Sequence, residues 1–340
     1  MSYPESEMQQ RTTIPMADRS IGELVADMAR MGFQAGQLGQ SLRVWENMLS
    51  KDVTIFLGLA GAMVPAGLQE MIAYLISRRY VDCLVSTGAN LFHDLCEGLG
   101  IRHYRGSACA DDAHLNECKI DRIFDVFVSE VELHRADKHI SDLVMSLRTD
   151  VAYSSREIME LLGRDLPETT ILGAAYRAGV PVFVPALSDS SIGIGMVIAW
   201  RNGHRVIVDQ IRDVDEITQI SEKSAETGVV FIGGGVPKNF IQQTKVISEL
   251  MGTYRGGHSY AIQYTTDTPH FGGLSGCTFS EAVSWGKVDK EARMAQVFSD
   301  ATITVPLVVH ALRERVKRRY SVPRFTWRGS ELELVYERSQ

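Results

Sequence analysis

The segment Glu281-Ala282-Val283-Ser284-Trp285-Gly286-Lys287 places a carboxylate, an indole and a primary amine within seven residues. A lysine that is buried in apolar surroundings loses hydration, so its pKa falls and the neutral amine becomes a nucleophile toward carbonyls and imines. An exposed lysine that closes a helix beside a core tryptophan fits the same spacing. The segment therefore indicates either covalent amine chemistry at Lys287 or an ordinary surface lysine.

Four loops carry residue types that bind phosphate or ribose, and each follows an apolar stretch. Gly233-Gly234-Gly235 comes directly after Val229–Ile232 and precedes a helix, so its backbone amides could approach a phosphate at a helix N-terminus. The other three loops are Thr87-Gly88-Ala89-Asn90, Ser188-Asp189-Ser190-Ser191 and Asp300-Ala301-Thr302. A tight turn, or for Asp300 a helix cap, explains each loop singly. Four of them together favour a bound dinucleotide, although no Gly-x-Gly-x-x-Gly fingerprint occurs at a strand–helix junction.

Short apolar strands that alternate with helices position these loops. The predicted strands are Val53–Leu57, Val81–Val85, Val180–Val184, Arg205–Asp209, Gly228–Ile232, Tyr260–Tyr264 and Gln296–Ser299. Helical spacing of apolar residues occurs at 21–31, 35–49, 65–77, 91–99, 139–148, 155–163, 168–178, 212–226, 237–251 and 302–318. This alternation predicts an α/β fold with a doubly wound, mostly parallel, Rossmann-like sheet, helices on both faces and a short N-terminal helical arm. In such sheets, ligands bind outside the carboxyl ends of the strands.

Composition narrows the class of protein and its surroundings. The chain has 340 residues, a net charge of −7 and five cysteines without a Cys-x-x-Cys pair. The acidic balance argues against a nucleic-acid binder, and the cysteine pattern predicts reduced thiols and no metal site. The first residues lack an apolar core and no long apolar run follows, so we expect a cytoplasmic protein without a membrane span. We expect a flexible arm at 1–20, a single catalytic domain at 21–320 and a tail at 321–340.

From about residue 20 to about residue 315 the chain resembles the deoxyhypusine synthase family, in its archaeal and bacterial branch. The segment that ends at Lys287 is highly specific to that family. The supporting motifs are Ile232-Gly233-Gly234-Gly235-Val236, Val182-Phe183-Val184-Pro185-Ala186-Leu187-Ser188-Asp189, Asp300-Ala301, Phe56-Leu57-Gly58 and the segment from Val81 to Asp94.

The resemblance implies a role for each matching residue. Lys287 would carry an aminobutyl group from spermidine as a Schiff base, and Glu281 and Trp285 would contact the polyamine. Ser275 and Asn239 would also line the substrate site. NAD would be the cofactor, held by Thr87, Gly88, Asp189, Gly233, Gly234, Gly235, Thr266, Asp300 and Ala301. The acceptor would be a lysine of the hypusine-bearing translation initiation factor, and the assembly a homotetramer with active sites between paired subunits.

Several positions depart from the pattern of the eukaryotic members. Those have histidine where Asn239 stands, aspartates where Ile194 and Leu274 stand, and an acidic pair where Phe92-His93 stands. Two missing carboxylates should weaken the binding of a multiply charged amine. His93 could replace the missing acid–base group or could be hydrogen-bonded locally. Putrescine as acceptor, which gives homospermidine, and a catalytically silent paralogue that keeps NAD binding therefore stay open as alternatives.

Overall fold

The structure, a computed structural model, describes residues 13–338, so residues 1–12 of the predicted arm lie outside it. The helices are α1 (Ile21–Met28), α2 (Phe33–Leu49), α3 (Gln69–Ser77), α4 (Gly88–Gly98), α5 (Asp112–Glu117), α6 (Glu130–Met145), α7 (Ser155–Gly163), α8 (Ile171–Ala178), α9 (Ser191–Arg201), α10 (Gln210–Lys223), α11 (Gly235–Leu250), α12 (Phe279–Val283) and α13 (Ala301–Arg315). The strands are β1 (Val53–Leu59), β2 (Cys83–Ser86), β3 (Tyr104–Arg105), β4 (Ile120–Ile123), β5 (Val126–Ser129), β6 (Ala152–Tyr153), β7 (Val182–Phe183), β8 (Ile207–Val208), β9 (Glu226–Ile232), β10 (His258–Thr265), β11 (Val288–Phe298), β12 (Ser321–Arg328) and β13 (Glu331–Arg338).

A six-stranded sheet forms the centre, in the order β11-β10-β9-β1-β2-β7, and its paired strands are all parallel. Every residue of β1 is buried, as expected for a strand covered on both faces. Ile55 and Leu57 belong to one apolar cluster, whereas Phe56 belongs to a second cluster on the opposite face. The predicted α/β fold with a mostly parallel sheet is confirmed. Because the strands are parallel, their carboxyl ends meet at a single edge.

The helices that were predicted from apolar spacing are present, with shifts at their ends. α1 begins after Ser20, whose hydroxyl accepts from the Glu23 amide while the Glu23 carboxylate accepts from the Ser20 amide. This reciprocal capping satisfies two amides that the first turn leaves free. The Glu314 carboxylate of α13 accepts from the Gly22 amide at 2.6 Å and ties α1 to the main domain. Within residues 13–338, no helix is both long and apolar enough to cross a bilayer.

Three regions differ from the predicted elements. The stretch 101–135, for which no element was predicted, contains a small antiparallel sheet in the order β3-β5-β4, and α6 begins at Glu130 rather than near 139. The predicted strand Arg205–Asp209 is reduced to β8, which pairs with β6 outside the central sheet. The predicted tail forms the antiparallel hairpin β12–β13. Its Trp327 ring packs under the Arg156 guanidinium at 4.3 Å, and Arg156 pairs with buried Glu216 at 2.8 Å.

Helix α9 was not predicted, because Gly193 and Gly195 interrupt its apolar pattern. A Cβ at Gly193 would lie 2.7 Å from the Ser188 carbonyl oxygen, and one at Gly195 would lie 2.7 Å from Ile140 Cβ. The glycines therefore permit close packing rather than mark a loop.

Candidate active site

Lys287 lies in a tight turn between α12 and β11. Gly286 has a φ of 65°, a left-handed conformation that favours glycine, and its carbonyl accepts from the Tyr254 hydroxyl at 2.9 Å. The Lys287 amide donates to the Ala282 carbonyl at 3.1 Å, and the Lys287 carbonyl accepts from the His258 amide at 3.0 Å. These bonds fix the backbone of the lysine and leave its side chain free to extend.

The side chain of Lys287 is half-buried and meets two of the predicted residues. Its Nζ lies 3.5 Å from Asn239 Oδ1, in the second turn of α11, and 5.3 Å from the centre of the Trp285 ring. Trp285 is 62% exposed, so it is not the core tryptophan of the surface-lysine interpretation. The lysine is therefore partly desolvated, and an exposed indole lies within cation–π range of its amine.

A cavity of about 270 Å³ opens beside this lysine. Glu281, Trp285 and Lys287 line it together with Leu274 and other residues of the Pro269–Cys277 loop. Glu281 is the one carboxylate among the described residues of the lining. Its position is set by Thr278, whose hydroxyl accepts from the Glu281 amide at 3.1 Å and caps α12. A cavity that offers one carboxylate and an indole face suits an aliphatic cation.

Gln242 also lines the cavity, and sequence reasoning did not single it out. It is 1% exposed, and its Nε2 has no hydrogen-bond partner within residues 13–338. A buried amide without a partner is uncommon in folded proteins and suggests a polar group that arrives with a ligand. Gln242 follows Asn239 by three residues on α11, which is the only signal that would have indicated it from sequence.

The predicted cofactor loops all lie at the carboxyl edge of the sheet. Gly233 follows β9, Thr266 follows β10, Thr87 follows β2, and Asp189 lies beyond β7. Asp300 follows β11 and its carboxylate accepts from the Thr302 amide at 2.8 Å, so it caps α13 as its position in the sequence suggested. Five predicted loops therefore lie along this edge, each after its own strand.

The three-glycine loop has the backbone geometry that a phosphate site needs. Gly233 and Gly235 have φ values of 73° and 56°. A Cβ at Gly235 would meet nothing within 4 Å, whereas one at Gly234 would lie 2.6 Å from Ser275 Cα. The amide of Gly235 donates to Ser275 Oγ at 2.9 Å, so Ser275 supports the loop.

Three helices that begin at this edge, α4, α9 and α11, have no capping hydrogen bond from the side chain of their N-cap residue, and in α11 the first amide donates to Ser275 instead. Several helices that begin elsewhere, such as α1, α7, α8 and α10, are capped by side chains. Uncapped N-termini present free amides and the positive end of the helix dipole. Together with the open space at Gly235, they fit the pyrophosphate of a dinucleotide.

The structure does not bring all predicted site residues together in a single chain. Lys287, Trp285, Glu281 and Asn239 form one group, and Ser275 connects that group to the three-glycine loop. Thr87, Gly88 and Asp189 lie at β2 and β7. Four strand spacings of about 4.8 Å separate β11 from β2, which gives roughly 19 Å. Ile194 belongs to this distant part and is 54% exposed on α9.

His93, suggested as a substitute for the missing acid–base group, is hydrogen-bonded locally. Its Nδ1 lies 2.9 Å from His103 Nε2, and His103 Nδ1 lies 2.7 Å from the Glu97 carboxylate. Burial, followed by the charge of His103, lowers the pKa of His93 to about 4. His93 is on α4 and is not part of the cavity beside Lys287.

A second buried lysine, Lys238, was not singled out from the sequence. It is fully buried, and its ammonium donates to Gln263 Oε1 at 2.9 Å and to the Cys277 carbonyl at 2.7 Å. Burial lowers the pKa of Lys238 to about 8. Gln263 is also fully buried, in the middle of the apolar strand β10. The sequence signal that would have indicated Lys238 and Gln263 is a charged or amide side chain within an otherwise apolar pattern.

Comparison with known proteins agrees with these observations. The family model described as deoxyhypusine synthase matches residues 23–312. "Probable deoxyhypusine synthase 2" of Methanosarcina mazei is 56% identical over 334 residues, covering 95% of this chain and 96% of that protein. The protein of the same description from Archaeoglobus fulgidus is 49% identical over 87% of this chain and 99% of its own length. "Deoxyhypusine synthase-like protein" of Chlorobaculum parvum is 39% identical over 87% of each chain.

A solved structure supports the fold. A protein from Entamoeba histolytica that carries the same family name provisionally matches with a TM-score of 0.65 at 19% identity, covering 90% of this chain and 99% of that chain. At that identity the likeness concerns the fold alone. Taken together with the family model and the close relatives, the comparisons show that this chain belongs to the deoxyhypusine synthase family.

Proposed function

We propose that this protein is an NAD-dependent aminobutyl transferase that takes spermidine or a related polyamine as donor and forms a Schiff base at Lys287. The observation that carries the proposal is the partly buried amine of Lys287 beside a cavity with one carboxylate and an exposed indole. The acceptor would be a lysine of the hypusine-bearing translation initiation factor. Membership of the family supports a transferase of this type.

The proposed reaction consists of an oxidation, two successive amine exchanges and a reduction. Loss of a hydride and a proton converts the secondary amine of spermidine to an imine. The neutral amine of Lys287 adds to the imine carbon, and 1,3-diaminopropane leaves with the proton. The acceptor amine then displaces Lys287 in the same way, and return of the hydride with a proton reduces the new imine. NAD, when bound, supplies the hydride acceptor and later the hydride donor.

The residues around Lys287 have distinct roles in this proposal. Glu281 pairs with the free ammonium of the aminobutyl chain, and the Trp285 ring packs against its methylene groups and charged end. Asn239 accepts a hydrogen bond from the Lys287 amine, which orients the lone pair after a proton is lost. Gln242 provides a neutral polar contact within the cavity.

The carboxyl edge would hold NAD. Gly233, Gly234 and Gly235 with the N-terminus of α11 would hold the pyrophosphate, and Asp300 would accept from a ribose hydroxyl. Thr266 and Ala301 flank the same edge, and Thr87, Gly88 and Asp189 extend it toward β7. The open backbone at Gly235 and the uncapped helices support this assignment.

One observation favours putrescine as an alternative acceptor, which would make the product homospermidine. Leu274 lines the cavity at a position where the resemblance implies an aspartate that binds amines. A cavity with a single carboxylate pairs with a single ammonium group. Its affinity for a small diamine should therefore differ less from its affinity for a longer polyamine than it would in a cavity with two carboxylates. A free diamine also needs no docking surface for a second protein.

We further propose a homotetramer, a dimer of dimers in which two chains complete each active site. The spread of the predicted site residues along the sheet, with Lys287 before β11 and Thr87 and Asp189 after β2 and β7, supports a shared site. Helix α9 supports it as well, since Ile194, Val197 and Trp200 are 54%, 51% and 50% exposed there. A large apolar face of this kind is typical of a subunit contact.

Incubation with spermidine and NAD tests the proposal. The mixture is divided into samples that contain the hypusine-type factor, putrescine or neither, and chromatography measures diaminopropane, modified factor and homospermidine. We expect diaminopropane together with one of the two transfer products. A catalytically silent paralogue would release no diaminopropane under any of the three conditions, and that result would reject the proposal.

A further inference from the structure

A buried polar network connects the three-glycine loop to the wall of the Lys287 cavity. Its members are Lys238 of α11, Gln263 of β10 and Gln296 of β11. The amide of Gln296 donates to Gln263 Oε1 at 2.9 Å and to the Cys277 carbonyl at 3.2 Å. Lys238 donates to the same two acceptors. We call these three side chains the polar clamp.

Gln263 occupies the centre of the polar clamp and uses both ends of its amide. Its oxygen accepts from Lys238 and Gln296. Its Nε2 donates to the Gly233 carbonyl at 2.8 Å and to the Ser275 carbonyl at 2.7 Å. One side chain therefore holds both the start of the three-glycine loop and the loop that carries Leu274 and Cys277 into the cavity wall.

The polar clamp is costly to bury, which argues that it has a function beyond packing. Lys238 and Gln263 are both fully buried, and Lys238 lies 6.0 and 5.7 Å from the ring centres of Phe231 and Phe279. A cation in such surroundings is tolerated only with good hydrogen-bond partners. In other proteins, apolar side chains of similar volume often replace buried charged groups without loss of stability.

Lys238 is poorly suited to act as a second nucleophile. It has no exposed surface, and two acceptors already engage its ammonium. It also does not line the cavity that contains Lys287. Its geometry is that of a residue that positions other groups.

We propose that the polar clamp couples dinucleotide binding at the three-glycine loop to amine binding at the Lys287 cavity. This inference rests on the proposed function, since it needs both ligands. Closure of the glycine loop around a pyrophosphate shifts the Gly233 carbonyl, and Gln263 passes that shift to Ser275 and Cys277. Each ligand therefore favours the loop arrangement that the other one binds.

NADH and spermidine test this coupling without turnover, because the reduced cofactor cannot take a hydride from the amine. NADH fluorescence is titrated with and without saturating spermidine, and the ratio of the two dissociation constants measures the coupling. In the unmodified protein we expect spermidine to tighten NADH binding on the order of ten-fold. In Lys238→Met and in Gln296→Met the ratio should fall toward one.

Lys245→Met is the matched control. Lys245 lies two turns further along α11 and is also buried, and burial lowers its pKa to about 8 as well, but it is outside the clamp. This variant should keep the full ratio. Circular dichroism shows whether each variant folds. Because Gln296 is only half-buried, Gln296→Met can still test the coupling if Lys238→Met does not fold.

Two results would overturn the inference. Clamp variants that fold and retain the ten-fold ratio would show that the three side chains serve packing alone. An unmodified protein that binds both ligands without coupling would do the same. Failure to bind NADH or spermidine at all would instead reject the proposed function, so the two failures are distinguishable.

Discussion

In the proposed function, the charge balance within the Lys287 cavity determines which amines the protein can hold. Trp285 is largely exposed, and a cation–π contact at an exposed site contributes about 0.5–1 kcal/mol. Glu281 adds one charged partner, and Gln242 and Asn239 add neutral polar groups. A polyamine with several charges therefore leaves charges unpaired in a single chain, so a carboxylate added to the wall should have a measurable effect.

Leu274→Asp is predicted to tighten spermidine binding about five-fold, because an added surface carboxylate near an ammonium contributes up to about 1 kcal/mol. Titration calorimetry at low ionic strength measures the change, which should shrink at high salt. Leu274→Asn is the control, since it matches the shape without the charge and should bind as the unmodified protein does. Equal affinities for the Asp and Asn variants would show that position 274 does not face the bound amine.

At the scale of elements, the three-glycine loop makes the most stringent demand on the sequence. Gly234→Ala places a methyl group 2.6 Å from Ser275 Cα, which is backbone and cannot rotate away. We predict at least a ten-fold loss of NADH affinity in fluorescence titrations. Gly32→Ala, before α2, where a Cβ meets nothing within 4 Å and φ is −84°, is the control and should bind normally. Normal binding by Gly234→Ala would mean that this loop is not the cofactor site.

Buried Asp213 of α10 makes stability depend on pH. Its carboxylate accepts from the Ser155 amide at 2.8 Å and supports α7. Burial raises the pKa of Asp213 to about 7, the Ser155 hydrogen bonds oppose the rise, and nearby Glu216 adds to it. The native carboxyl group therefore keeps its proton to about pH 7, whereas the unfolded chain loses it near pH 4. Between these values the native state binds more protons, so the contribution of this group to stability falls as pH rises.

Asp213→Asn removes this titration and retains an acceptor for Ser155. Its free energy of unfolding, relative to the unmodified protein, should rise by about 4 kcal/mol from pH 4 to pH 7 and stay level above pH 7. Urea unfolding at several pH values measures the difference. Asp215→Asn, exposed on the same helix, should show no such trend. A difference that stays flat with pH would contradict the assignment to Asp213.

Sequence patterns predicted the strands that are buried over nearly their whole length. β1 and β9 are almost entirely buried and appear as continuous apolar runs. Helix α9 was missed because its glycines serve contacts with distant residues, which no local pattern contains. β4 and β5 were missed because most of their residues are only partly buried.

In the candidate site as well, local patterns predicted some residues and tertiary contacts were needed to find others. Glu281, Trp285 and Lys287 were predicted together because a short helix and a turn bring them together locally. The polar clamp joins residues 25 and 33 positions apart across two strands and a helix, and only the tertiary fold reveals it.

At the scale of the whole molecule, the order of strands bears on the proposal that two chains share each site. The Lys287 group lies at the β11 end of the sheet and Thr87 lies near its other end. We predict that Val197→Glu, on the exposed face of α9, lowers the molar mass measured by light scattering after size-exclusion chromatography. It should reduce activity in parallel, because a charge in an apolar subunit contact is costly.

Ile211→Glu provides the control for this prediction. Ile211 is 79% exposed on α10, so a charge there should leave both mass and activity unchanged. An unmodified protein that is already monomeric and active would contradict the shared-site proposal, as would a Val197→Glu variant of unchanged mass.

Trapping of the Schiff base tests the proposed role of Lys287 directly. The protein is incubated with spermidine and NAD, reduced with borohydride, digested and analysed by mass spectrometry, with Lys287→Arg as the control. We expect an aminobutyl adduct on Lys287, which disappears when NAD is omitted and does not form in the control. Release of diaminopropane with no adduct on Lys287, or an adduct on Lys238 instead, would contradict that role.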